Sequence, residues 1–153
     1  MRAAILYAYL LALTVSCSSV RNPPVVRDEK AGSGSSEDLS GAWTLQIENP
    51  EHQVITTMTI RFVDAPASSC MAGDWRRILV DSHSTSNERF FPVSEPLSYE
   101  LHKNHLVIGR NEICDNYLHL IGELRNSAAH GQYVGFGLGG GKRLGYFSLS
   151  QAT

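Results

Sequence analysis

The chain has three cysteines, Cys17, Cys70 and Cys114, and no C-x-x-C pair. No histidine stands at matched spacing beside Cys70 or Cys114, so the common zinc frameworks are excluded. Charge of one sign is also missing. Thirteen Lys and Arg face 15 Asp and Glu, the formal net charge is -2, and there is no block of like charge. A nucleic-acid footprint needs a basic stripe, so no nucleic-acid partner is expected, and an anionic membrane surface is not favoured. No stretch keeps a 3.6-residue apolar period, so no helix is expected. The one long uncharged apolar stretch, residues 3–15, is too short to span a bilayer.

That stretch has the form of a targeting signal. Arg2 supplies a positive start, residues 3–15 an apolar h-region, and Ser16 a small residue before Cys17. Leu13-Thr14-Val15-Ser16-Cys17 resembles the lipobox of bacterial lipoproteins, with Thr14 where that family most often has Leu. The resemblance implies cleavage before Cys17, a diacylglycerol on its sulfur and often a further acyl chain on the new amine. Each buried CH₂ contributes about 0.8 kcal/mol, so two or three chains anchor a protein durably. Membrane attachment through N-terminal acyl chains in the bacterial cell envelope is therefore expected. In a bacterium with two membranes, Ser18 rather than Asp after the cysteine implies the outer membrane, facing the periplasm. The alternatives are an ordinary signal peptide with an incidental cysteine and an uncleaved anchor.

Residues 1–16 thus read as signal peptide, 17–39 as lipidated cysteine and linker, and 40–153 as one β-rich domain. The linker holds Pro23-Pro24, Gly32-Ser33-Gly34-Ser35-Ser36 and mixed charges, and cannot bury a core. From Ser40 the pattern changes to period two. Trp43, Leu45 and Ile47 alternate with polar residues, as do Met58, Ile60 and Phe62 after the turn at residues 49–52. Further strands are predicted from Trp75 to Asp81, around Leu97 to Leu101, at Leu106 and Ile108, from Leu118 to Leu124, from Gln132 to Leu138 and from Arg143 to Leu149. Lys103-Asn104 and Asn126-Ser127 read as tight turns, and residues 82–87 as a loop. About eight short strands with hairpin-length links predict an all-β antiparallel meander closed into a barrel, with a β-sandwich as the alternative.

In an oxidising compartment Cys70 and Cys114, the pair left after Cys17, are expected to form a disulfide; two buried free thiols are the other possibility. Gly41-Ala42-Trp43 at the head of the first strand resembles the G-x-W of lipocalins and other calycins. The resemblance implies a barrel whose Trp plugs one end, with a basic residue of the last strand packed on it, here Arg143 or Lys142. It also implies a non-catalytic domain binding a small apolar or amphipathic ligand, lined by Trp43, Leu45, Met58, Ile60, Phe62, Leu118 and Leu120. Eight strands enclose little more than their own side chains, so a filled core competes with that expectation. The alternative is a protein-interaction lipoprotein, such as an inhibitor of an envelope hydrolase or an assembly partner. Its contact would be the loop from residue 82 through Phe90 and Phe91, unless the two rings fold back as a satellite core.

Catalysis finds no support in the motifs. Gly135-Phe136-Gly137-Leu138-Gly139-Gly140 fits G-x-G-x-x-G, but a strand follows where a dinucleotide site needs a helix. Gly141-Lys142 lacks the first Gly and the Ser/Thr of a P-loop. Asp81-Ser82-His83 are consecutive and cannot assemble a triad, and no G-x-S-x-G elbow is present. Glu112, Asp115, His119 and Glu123 read as a polar strand face with its entry loop. Six histidines include His102 and His105 facing across a hairpin, without a third ligand. No enzyme activity, metal or cofactor is expected. Gly131, Gly135, Gly137 and Gly139 share a face interrupted by Tyr133, which reads first as tight barrel curvature and second as a binding groove.

Overall fold

Apolar–polar alternation becomes eight strands in a computed structural model, which describes residues 38–152. Cys17 and the signal and linker segments up to residue 37 lie outside the described residues. The strands are β1 (Trp43–Glu48), β2 (Val54–Pro66), β3 (Arg76–Thr85), β4 (Leu97–His102), β5 (His105–Arg110), β6 (Tyr117–Arg125), β7 (Ala128–Gly137) and β8 (Gly140–Gln151). Each pairs antiparallel with the next, and β8 returns to β1, closing a meander barrel consistent with the calycin type. The inward residues of β1 show how the core arises: Trp43, Leu45 and Ile47 are fully buried while their neighbours stay half-exposed. Met58 and Ile60 meet them from β2, Leu106 and Ile108 from β5, Leu120 and Leu124 from β6, Phe147 and Leu149 from β8.

Two hairpins have the expected two-residue turns. Asn126 and Ser127 both take positive φ, whereas at the β4–β5 turn the positive φ falls on Lys103. One expected loop is strand. Residues 82–85 pair in register with β2, Ser82 opposite Thr59 and Thr85 opposite Thr56, and the last two hydroxyls are 2.8 Å apart. The polarity of this stretch reflects a strand exposed on both faces, because β3 pairs with β4 only through Arg76, Arg77 and Ile78. Beyond Ile78 the β3–β4 seam is open, and it divides the barrel into a closed end and a mouth.

The closed end holds both ends of the domain. Leu39, placed in the linker by sequence, packs on the core, and its carbonyl accepts from the Trp43 indole N–H at 3.2 Å. The ring of Phe62 stands edge-on to Trp43 at 5.7 Å. Arg143 does not reach this Trp. Trp43 pairs with Gln151, at the far end of β8 from Arg143, whose guanidinium lies over Tyr146 at 5.3 Å.

The segment between β2 and β3 is a strap across the outside of the sheet. Cys70 N donates to the Asn111 carbonyl at 2.8 Å, and Asp74 N to the Glu100 carboxylate at 3.4 Å. Trp75 is buried, with its ring 5.7 Å from that of His119 on β6. A disulfide between Cys70 and Cys114 fastens the strap to the β5–β6 loop.

Candidate functional site at the barrel mouth

The β3–β4 loop fills the open seam from above. Asn87 caps its turn, its side-chain oxygen accepting from the backbone N–H of Arg89 and Phe90. The chain then turns inward: Phe91 is fully buried, Val93 nearly so, and Phe90 packs partly buried against the core. Both rings meet Tyr133 of β7 edge-on, at 5.3 Å and 5.5 Å. The two aromatics read from sequence as a contact surface thus form a plug, and Phe91 presents no surface at all.

Two wall residues tie the plug down. The Tyr133 hydroxyl donates to the Phe90 carbonyl at 2.6 Å. Arg110, the last residue of β5, donates from Nη1 to the Glu95 carbonyl at 2.5 Å, with the Glu95 carboxylate 3.6 Å away. The Phe91 ring lies 4.5 Å from the guanidinium, in cation–π contact. Arg110 is 1% exposed, and among the described residues its Nε and Nη2 have no hydrogen-bond partner. Burial pushes its pKa down to about 10, Glu95 opposing, so it stays charged at neutral pH. Burial likewise pushes the Tyr133 phenol up, keeping it a neutral donor.

The seven residues expected to line a ligand cavity divide by position. Trp43, Leu45, Met58, Ile60 and Leu120 expose no surface to water, so no water-sized space adjoins them and the barrel's middle is filled by its own side chains. Phe62 belongs to the closed end, against Trp43 and Tyr99. Leu118 is partly buried at the mouth, paired in register with Arg110. Above the filled middle, the volume at the mouth is taken by Phe91 and Val93.

Arg110 and Tyr133 carry the chemistry of the mouth. Sequence reasoning passed over Arg110 and noted Tyr133 only as a break in the glycine row. The signal for Arg110 was its two-residue spacing from Leu106 and Ile108, which turns it inward with them.

A second buried polar group lies under the strap. The Asn111 side chain donates to Ser98 Oγ at 3.1 Å and accepts from His119 Nε2 at 2.8 Å; Ser98 Oγ donates to the Gly109 carbonyl at 3.3 Å. This chain assigns His119 a proton on Nε2, and burial lowers its pKa. Among the described residues no three His, Cys, Asp or Glu come together as a metal site. No protein-family model, curated protein or solved structure matches this chain.

Proposed function

We propose that this chain is a lipid-anchored, non-catalytic binding protein of the bacterial cell envelope, held to the membrane through acyl chains on Cys17. Its calycin-like barrel takes a small apolar or amphipathic ligand at the mouth. One observation carries the proposal. A barrel closed by strands at every other seam is closed here by a loop that lays Phe91 and Val93 inside, in the volume a ligand's apolar part would need. A plug of this kind is exchangeable, because a ligand replaces its contacts like for like.

The test is native mass spectrometry of the full-length lipidated protein, purified gently from its own cell envelope. A mature chain beginning at Cys17 with added acyl mass supports the anchor, and a small-molecule mass lost on denaturation supports the binding role. A protein that stays bare, and stays bare when offered single-chain amphiphiles, removes the binding role.

A second function is favoured by a different observation. Leu138, at the tip between β7 and β8, is wholly exposed, and Ile113 in the β5–β6 loop is half-exposed. A Cβ at Gly137 would lie 3.7 Å from the Asp115 carbonyl, so the two loops adjoin. An apolar tip flanked by glycines suits insertion into a partner's cleft, as in inhibition of an envelope hydrolase. Loss of inhibition in Leu138→Asp, with ligand binding intact, would favour this function over the first.

A further inference from the structure

Arg110 is a buried cation with more donors than acceptors around it. A guanidinium offers five N–H groups in a planar fork. Here Nη1 has the Glu95 carbonyl and the nearby Glu95 carboxylate, and the face has the Phe91 ring. Nε and Nη2 are buried with nothing to bond among the described residues. Unmet buried donors on a charged group are costly, and the loop's contacts offset only part of that cost. The unmet pair is also a particular one: Nε and Nη2 form one edge of the fork, the edge that two oxygens of a carboxylate or phosphate meet side by side.

We infer that the Nε–Nη2 edge of Arg110 is the recognition site for the oxyanion headgroup, carboxylate or phosphate, of a short-chain amphiphile. This inference rests on the mouth being the ligand site and names the ligand's class. In the closed barrel the loop stands in for the ligand. The Phe91 ring covers the cation, and Glu95 takes Nη1. A bound amphiphile puts its chain in the space of Phe91 and Val93 and its oxyanion on the Nε–Nη2 edge, leaving Nη1 to Glu95. Lifting the inward turn at Phe91 and Val93 breaks the Tyr133–Phe90 bond, while the Arg110 Nη1–Glu95 tie holds the far end of the loop in place.

The experiment is a calorimetric titration of the full-length protein in neutral phosphatidylcholine vesicles, with protein-free vesicles as reference. The probes are octanoate, octyl phosphate, octanol, acetate and inorganic phosphate. Octanoate and octyl phosphate are expected to bind about 10- to 100-fold more tightly than octanol, the range of a charge-assisted hydrogen-bond pair. Arg110→Met should fold, since an apolar residue of similar volume commonly replaces a buried charge without loss. It should erase the preference over octanol. Octanol binding as tightly as octanoate in the native protein would overturn the anion site while leaving the mouth as an apolar site. That comparison holds even if the variant misfolds. Acetate or inorganic phosphate binding as tightly as octanoate would assign the site to a free anion and overturn the amphiphile. Absence of binding by every probe would remove this inference and the proposed ligand function together.

Discussion

The ring of Phe147 lies on the bare backbone of Gly131, its cross-strand partner, and of Gly122 beyond it. A Cβ at Gly131 would stand 2.6 Å from the ring and overlap the Ile121 carbonyl oxygen; one at Gly122 would stand 2.9 Å from the ring. The two glycines form a trough that lets an eight-stranded wall hold a phenylalanine inside. Gly131→Ala should therefore cost about 3 kcal/mol in urea unfolding, by overpacking against backbone that cannot yield. Gly139→Ala, with no atom within 4 Å of the new methyl, should change stability by less than about 0.5 kcal/mol. Equal stabilities for the two variants would refute the trough.

The disulfide joins residues 44 apart and fastens the strap over β4 to β6. Closing a loop of that length stabilises the fold by about 4 kcal/mol in the chain-entropy model. Replacing Cys70 and Cys114 together by Ser should lower the unfolding free energy by about that amount. Trp75 should become more accessible to a fluorescence quencher before global unfolding, because the strap loses its covalent hold at Cys70. Unchanged stability in the double variant would mean the strap is held by its hydrogen bonds and Trp75 alone.

His119 sets a pH dependence whose sign follows from its burial. Its folded pKa is lowered below the ordinary value of 6.5. Below that value the unfolded chain binds a proton that the folded chain resists, so stability present above it is lost as pH falls toward the lowered folded value. Between about pH 7 and pH 5 the native protein should lose stability more steeply than His119→Gln. Parallel stability curves for the two proteins would rule out His119 as the source.

Much of the barrel was legible because period-two alternation is a local signal. Trp43 to Ile47, Met58 to Phe62 and the Lys103-Asn104 turn needed only neighbouring residues to declare themselves. The disulfide followed from an even count of cysteines after Cys17 and the expectation of an oxidising compartment. What stayed hidden depends on distant chain. Residues 82–85 look like loop because β4 pairs with β3 only at residues 76–78 and neither face of the later stretch is covered. His119 looks like a polar surface residue until the strap, more than forty positions earlier, is laid over it. Arg110 looks like a strand terminator, because a charge at the end of an apolar run ordinarily faces water; the inturned loop with Phe91 closes over it instead. In each case a connection, rather than a strand, decided the environment.

The pairing of Trp43 with Gln151 puts the first residue of β1 and the last of β8 at the same end of the barrel. The Ala152 N–H also bonds the Ala42 carbonyl at 2.8 Å, so the ends of the domain leave side by side. In mechanical terms that seam is a zipper. Force drawn between the two termini loads the β1–β8 bonds one after another from Trp43 inward, instead of shearing them all together. The barrel would yield to such a pull at low load, while a pull directed between the strap and the β5–β6 loop would meet a covalent bond.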